Sequence, residues 1–142
     1  MRILISACLL GLCCRYDGGE KACGAALRLG ERHTLIPVCP EQLGGLPTPR
    51  TPCERKGDKV VSAEGEDRTA AYQLGARQAE KLYDMLGCAC AVLKARSPMC
   101  GSGAVYDGSF NRTLVPGNGV LAERLIARGV PVWSEENLPD SL

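Results

Sequence analysis

Apolar and polar positions follow two different periods along the chain, and each change of period marks a change of element. The run Arg2-Ile3-Leu4-Ile5-Ser6-Ala7-Cys8 is apolar and β-branched without polar alternation, as expected of a strand buried on both faces and ending at Cys8. After a glycine-rich turn, the pattern over 21–29 fits a short helix, closed by Gly30 as a left-handed cap. The stretch Thr34–Val38 predicts a second strand ending at Cys39, and its Pro37 argues for an edge position. Residues 40–58 are rich in proline and glycine and predict a long functional loop.

The clearest helix spans 67–86. Ala71, Gly75, Ala79, Leu82, Tyr83 and Leu86 fall on one stripe, with Asp67 placed to cap the start and Gly87 to stop the end. A third strand over 89–93 follows directly. A turn-rich stretch over 95–118 comes next, with a small hairpin through 103–106. A last helix over 120–128 is closed by Gly129, and 130–133 reads as a fourth strand. Strands that alternate with helices require crossover connections. The expected fold is therefore α/β: a Rossmann-like, three-layer arrangement with a mostly parallel open sheet of about four strands and helices on both faces.

Composition narrows this picture. With 142 residues and 45% hydrophobic positions, the chain suits one domain, 1–142, around one core. Seventeen basic residues against sixteen acidic ones leave a formal net charge of +1, so bulk charge encodes no general affinity for DNA or RNA backbones. One Trp, one Phe and four Tyr are too few for a platform that stacks single-stranded bases. Small ligands fit better. The N-terminal apolar run imitates a secretory leader, but it is short and contains Cys8, and the following Cys14-Arg15-Tyr16-Asp17-Gly18 reads as a structured turn. No segment approaches the roughly 20 apolar residues of a membrane span, and the expected location is the cytoplasm, where thiols stay reduced.

Nine cysteines are many for this length, and the odd number disfavours a fully paired disulfide scaffold. In an open parallel sheet, ligands bind at the edge formed by the strand C-terminal ends. Cys8 and Cys39 stand at such ends, and Cys100 lies in the loop that leaves the third strand, so these three thiols can converge. Cys88 and Cys90 lie at the start of that strand and belong to the opposite edge, as buried structural thiols. The roles of Cys13, Cys14, Cys23 and Cys53 stay open. Any one cysteine alone reads as a small buried hydrophobe. Structural zinc usually draws four ligands from short paired spacings, whereas these three are 31 and 61 residues apart. Three thiolates on a [4Fe-4S] cluster would leave one iron free as a Lewis acid. Zinc and a thiol nucleophile remain alternatives at this point.

Longer motifs then bear on the choice. Ser6-Ala7-Cys8-Leu9-Leu10-Gly11 with Cys14-Arg15-Tyr16-Asp17-Gly18, and Pro37-Val38-Cys39-Pro40-Glu41 through Gly44-Gly45-Leu46-Pro47-Thr48-Pro49-Arg50, resemble the thiouracil desulfidase family. Leu93-Lys94-Ala95-Arg96-Ser97-Pro98-Met99-Cys100-Gly101 with Val105-Tyr106-Asp107-Gly108 extends the resemblance over nearly the whole chain. It implies an enzyme that converts 2- or 4-thiouracil, or a related thiolated nucleobase, to uracil and hydrosulfide without net redox change. The implied cofactor is a [4Fe-4S] cluster on Cys8, Cys39 and Cys100, whose iron without a cysteine takes the substrate sulfur. A thiolated tRNA is a less favoured substrate.

Proton transfers are needed as water adds and sulfur leaves, and Glu41 and Ser97 are the candidates. A carboxylate near the cluster can activate water, and a hydroxyl can relay a proton or hold the ring. The bland alternatives are an N-terminal helix charge for Glu41 and a turn-forming Ser-Pro for Ser97. Lys94, Arg96 and Arg50 could add charge to the site, although solvated surface positions are the plainer reading. Asp17 and Asp107 precede glycines and read as turn residues. Met99 departs from the small polar residue more usual in the family's loops and is expected to shape the pocket. The rival functions are a non-catalytic metal-binding or redox-sensing module and a cysteine-nucleophile transferase, the latter weakened by a single, poorly placed His33.

Overall fold

The computed structural model describes residues 1–142 and is built on a four-stranded parallel sheet in the order β2-β1-β5-β8. These strands are β1 (Arg2–Ser6), β2 (Thr34–Val38), β5 (Cys90–Val92) and β8 (Val132–Trp133). In β1, Ile3, Leu4 and Ile5 are all fully buried, which explains the unbroken apolar run. Ile3 and Ile5 pack with Ala26, Leu29, Cys90 and Val92 on one face. Leu4 packs on the other face with Ala91, Tyr72, Ala76, Leu121 and Leu125. Helix α1 (Gly24–Leu29) therefore covers one side, and α3 (Thr69–Met85) and α4 (Val120–Ala127) cover the other, giving the expected three layers.

Pro37 lies on β2, an edge strand hydrogen-bonded only to β1, where its missing donor costs nothing across an outer ladder. Asp67 accepts the Thr69 amide at 2.9 Å and tightens the start of α3, while Gly87 and Gly129 take φ of +63° and +80° just past α3 and α4. Between these helices, buried Glu80 accepts from Arg124 at 2.6 Å, and Asp84 accepts from Arg128 at 2.5 Å. No helix is long and apolar enough to cross a membrane.

Three expectations about the elements are corrected. Strand β1 stops at Ser6, and Cys8 sits in a 3₁₀ turn, Ala7–Leu10, that bends the chain away from the sheet. Helix α1 begins at Gly24 rather than near 21, and Gly30 has φ −65°, so no left-handed cap closes it. The expected long loop over 40–58 contains α2 (Pro40–Leu43) and β3 (Cys53–Lys56), which pairs antiparallel with β4 (Lys59–Ser62). Pro40 occupies the first turn of α2, where a missing amide is harmless, and the two-residue turn Gly57-Asp58 closes the hairpin with Gly57 at φ +63°. The other hairpin joins β6 (Ala104–Tyr106) to β7 (Leu114–Pro116).

Candidate functional site

Three neighbouring parallel strands, β2, β1 and β5, each end at the same sheet edge. Each delivers a cysteine there. Cys8 lies in the turn after β1, and its carbonyl accepts the amides of Gly11 at 3.2 Å and Lys21 at 2.9 Å. Cys39 follows β2 directly as the residue before α2. Cys100 lies in the loop beyond β5, where the Ser97 hydroxyl oxygen accepts the amides of Met99 at 3.2 Å and Cys100 at 3.1 Å. The N-terminal amides of α4 grip this loop: Val120 donates to the Pro98 carbonyl at 2.9 Å, and Leu121 to the Met99 carbonyl at 2.8 Å.

All three cysteines line one cavity of about 380 Å³, together with Glu41 and Ser97. Cys14 and Cys53 line it too, which resolves two of the cysteines left open; Cys13 is exposed, Cys23 half-buried, and neither reaches it. Cys88 precedes β5 and Cys90 starts it, at the far end of the sheet from this cavity. None of the nine cysteines is in a disulfide. No three Cys, His, Asp or Glu side chains draw together as one metal ion would require, whereas three free soft donors around a cavity suit a larger thiophilic group such as an iron–sulfur cluster.

Burial sets the electrostatics. It pushes the Cys8 thiol up to about 11, with the Glu41 charge adding to the shift and Lys94 and Arg15 opposing it. Burial likewise raises Cys39, and it raises Cys100 well above the ordinary thiol value, Glu41 again adding while a hydrogen bond from Ser6 opposes. Cys14 rises to about 12 through burial and its neighbour Cys39. No cavity cysteine is shifted toward the thiolate that a cysteine nucleophile needs, which weighs against the transferase reading. Binding of a metal group to these thiols must release protons.

Glu41 stands in the first turn of α2 with its side chain 14% exposed, and burial raises its carboxyl above the ordinary carboxylate range despite the opposing charge of Arg50. Ser97 forms the turn expected of a Ser-Pro, yet its oxygen acts there as acceptor, so its own proton is free to be donated. Tyr72 hydrogen-bonds Cys53 in the same cavity, and burial raises its phenol.

The charged residues near the motifs correct the surface reading. Arg50 is only 7% exposed and reaches Glu41 at 3.5 Å. Lys94 is 19% exposed and pairs with Glu135 at 2.9 Å. Arg96 is the most exposed of the three and forms a two-pronged pair with Glu136 at 2.8 and 2.9 Å. Met99 does not shape the pocket: it is fully buried in the core beneath α4, because the loop turns its side chain away from the cavity. Asp17 and Asp107 accept amides two residues on, at 2.8 and 2.9 Å, as turn residues do. His33 sits at the start of β2, away from the cavity. Ser6 was not singled out by the sequence, although a hydroxyl amid seven mostly apolar residues is a signal that a buried partner exists. Its oxygen accepts the Lys94 amide at 2.9 Å while its hydroxyl serves Cys100, tying the ends of β1 and β5 together.

The chain is similar to known proteins. The chain is 38% identical to the uncharacterized protein YbbK of Bacillus subtilis (strain 168), over 99% of both chains. The solved structure of the [4Fe-4S]-dependent thiouracil desulfidase TudS is similar with a TM-score of 0.88 and 43% identity, covering 98% of this chain and 93% of that one. The family model for 2-thiouracil desulfurase matches residues 3–137. With the match spanning every strand of the sheet and all the motifs that line the cavity, the chain belongs to the 2-thiouracil desulfurase family.

Proposed function

We propose that this chain is a [4Fe-4S]-dependent desulfidase that converts a thiouracil and water to uracil and hydrosulfide, with Cys8, Cys39 and Cys100 as the cluster ligands. The observation that carries the proposal is the delivery of three free thiols by three adjacent strand ends to one cavity that also holds a carboxylate and a hydroxyl. Family membership and the likeness to TudS support it. The bound cluster supplies a thiophilic Lewis acid, because three protein ligands leave one iron without a cysteine.

The chain's own residues supply position and protons. The cavity is partly walled by apolar side chains, which strengthens the charges inside it relative to bulk water. Glu41 takes a proton from the water that adds to the ring carbon and returns it as the sulfur leaves, so exchange of sulfur for oxygen needs no electrons from outside. Ser97, its oxygen already engaged by two amides, donates its hydroxyl proton to the base and fixes the ring. A cavity of about 380 Å³ lies in the size range of small-molecule sites and favours a free base over a folded tRNA. A reducing cytoplasm suits nine unpaired thiols.

Anaerobic reconstitution with iron and sulfide, followed by incubation with 2- or 4-thiouracil, tests the proposal. It expects a brown protein that forms uracil and sulfide in equal amounts. A folded, colourless protein that takes up no iron, or a loaded one that releases no sulfide, contradicts it.

A further inference from the structure

Arg50 makes more contacts than any other side chain in the site, and the desulfidase reading gives it no part. Its Nη2 points at three acceptors: the Cys14 carbonyl at 3.0 Å, Glu41 Oε2 at 3.5 Å and Cys39 Sγ at 3.9 Å. Its Nη1 donates to the Pro47 carbonyl at 3.2 Å and Thr48 Oγ1 at 3.0 Å. Its own backbone amide donates to the Tyr16 carbonyl at 2.7 Å. Two segments far apart in sequence, the turn at 14–16 and the strap at 47–50, are thus fastened around one guanidinium.

Two features separate this from an ordinary structural arginine. A guanidinium only 7% exposed needs compensation for its lost hydration, yet the single carboxylate near it stands at the outer limit of a hydrogen bond. The remaining charge faces sulfur. In addition, neutral acceptors (two backbone carbonyls and a hydroxyl) fix the group whatever the protonation state of the site, so the cation is held in place before any chemistry begins.

We infer that Arg50 is the positioning residue of the site, one buried guanidinium that hydrogen-bonds the Cys39 sulfur and the Glu41 carboxylate together and so holds the cluster ligand and the proton-moving group in fixed relation. The inference rests on the function proposed above and assigns a role that function does not require. Two separable effects follow. An N–H donor and a positive charge beside a ligand sulfur favour the more electron-rich state of a cluster and raise its reduction potential. The fork geometry, which lysine lacks, anchors Nη1 on the Pro47 carbonyl and Thr48 hydroxyl while Nη2 faces Glu41 and the Cys14 carbonyl.

The test compares the anaerobically reconstituted wild-type chain with Arg50→Lys and Arg50→Gln. Iron and labile sulfide content, cluster midpoint potential followed by electron paramagnetic resonance, and kcat and KM for 2- and 4-thiouracil are measured on each. Arg50→Gln is expected to hold the cluster at a more negative potential and to lose about a hundredfold in kcat, with KM changing less. Arg50→Lys is expected to keep most of the potential and fail to restore kcat. A wild-type potential or a wild-type kcat in Arg50→Gln overturns the inference. Should Arg50→Gln not fold, Arg50→Lys decides: lost kcat with potential and cluster content kept supports the role, and wild-type kcat overturns it. A wild-type chain that takes up no cluster instead contradicts the functional reading and removes the basis for this one.

Discussion

At the scale of single residues, the chemistry depends on groups held away from water. Glu41, the proposed base, is the sharpest case. Replacing it with glutamine keeps the shape and removes the base, so kcat is expected to fall by about 10²–10⁴ while cluster content is unchanged, as iron analysis beside steady-state rates would show. The pH dependence has a definite sign. Burial raises the Glu41 carboxyl, the proposed base is its deprotonated form, and activity is therefore expected to fall as pH drops through this raised value. The acidic limb of the rate profile should lie above the ordinary glutamate range, and a limb at the ordinary value would show that another group is responsible. Under the proposed function Ser97 carries two duties, and its variants separate them. Threonine keeps the acceptor for the Met99 and Cys100 amides, whereas alanine removes it. Ser97→Ala should lose both turnover and cluster retention, and Ser97→Thr should retain the cluster.

The convergence of Cys8, Cys39 and Cys100 on one cavity was readable because Cys8 and Cys39 lie just past apolar strands and Cys100 lies in the loop that leaves β5, and strand ends are predicted by local pattern. Arg50 was not readable in the same way. Its burial depends on a carbonyl 36 positions earlier and a sulfur 11 positions earlier, contacts that no local pattern encodes. A charged residue among prolines looks solvated until the fold closes over it. Met99 was misread for the converse reason: position within a functional loop does not reveal which way a side chain turns.

At the scale of elements, the amphipathic helices α3 and α4 were legible because each carries a periodic stripe and ends near a glycine. The four-residue helix α2 and the hairpin β3–β4 are too short for a period to emerge among prolines and glycines. Yet α2 carries Glu41 and starts beside Cys39, so its seating matters to the site. It rests on α3 through two glycines: a Cβ on Gly44 would lie 2.1 Å from the Ala71 carbonyl oxygen, and one on Gly75 would lie 2.0 Å from that of Pro40. Backbone cannot yield as a flexible side chain can. Gly75→Ala should destabilise the chain by about 1–3 kcal/mol through overpacking and displace α2, with lowered cluster retention as its second sign. Denaturant melts and iron content would check both, and an unaltered melt would show that the two helices are not in such close contact.

At the scale of the whole molecule, the sheet is the device that gathers the site. Strand β1 lies between β2 and β5, so three sequence-distant cysteines reach one edge without any local motif binding them together. A cluster across these strand ends would bind the native state alone and stabilise it by mass action. The reconstituted protein should melt on the order of 10 °C above the apo form under anaerobic conditions, and chelation should abolish the difference.

The ligand set is the centre of the account, and one measurement addresses it directly: iron and labile sulfide per chain after anaerobic reconstitution of single Cys→Ser variants at 8, 14, 39, 53 and 100. The variants at Cys8, Cys39 and Cys100 should remain folded, lose the cluster and form no uracil, while those at Cys14 and Cys53 should keep a full complement of iron and sulfide. Loss of the cluster on replacing Cys14 or Cys53, with full loading in any one of the other three variants, would contradict it.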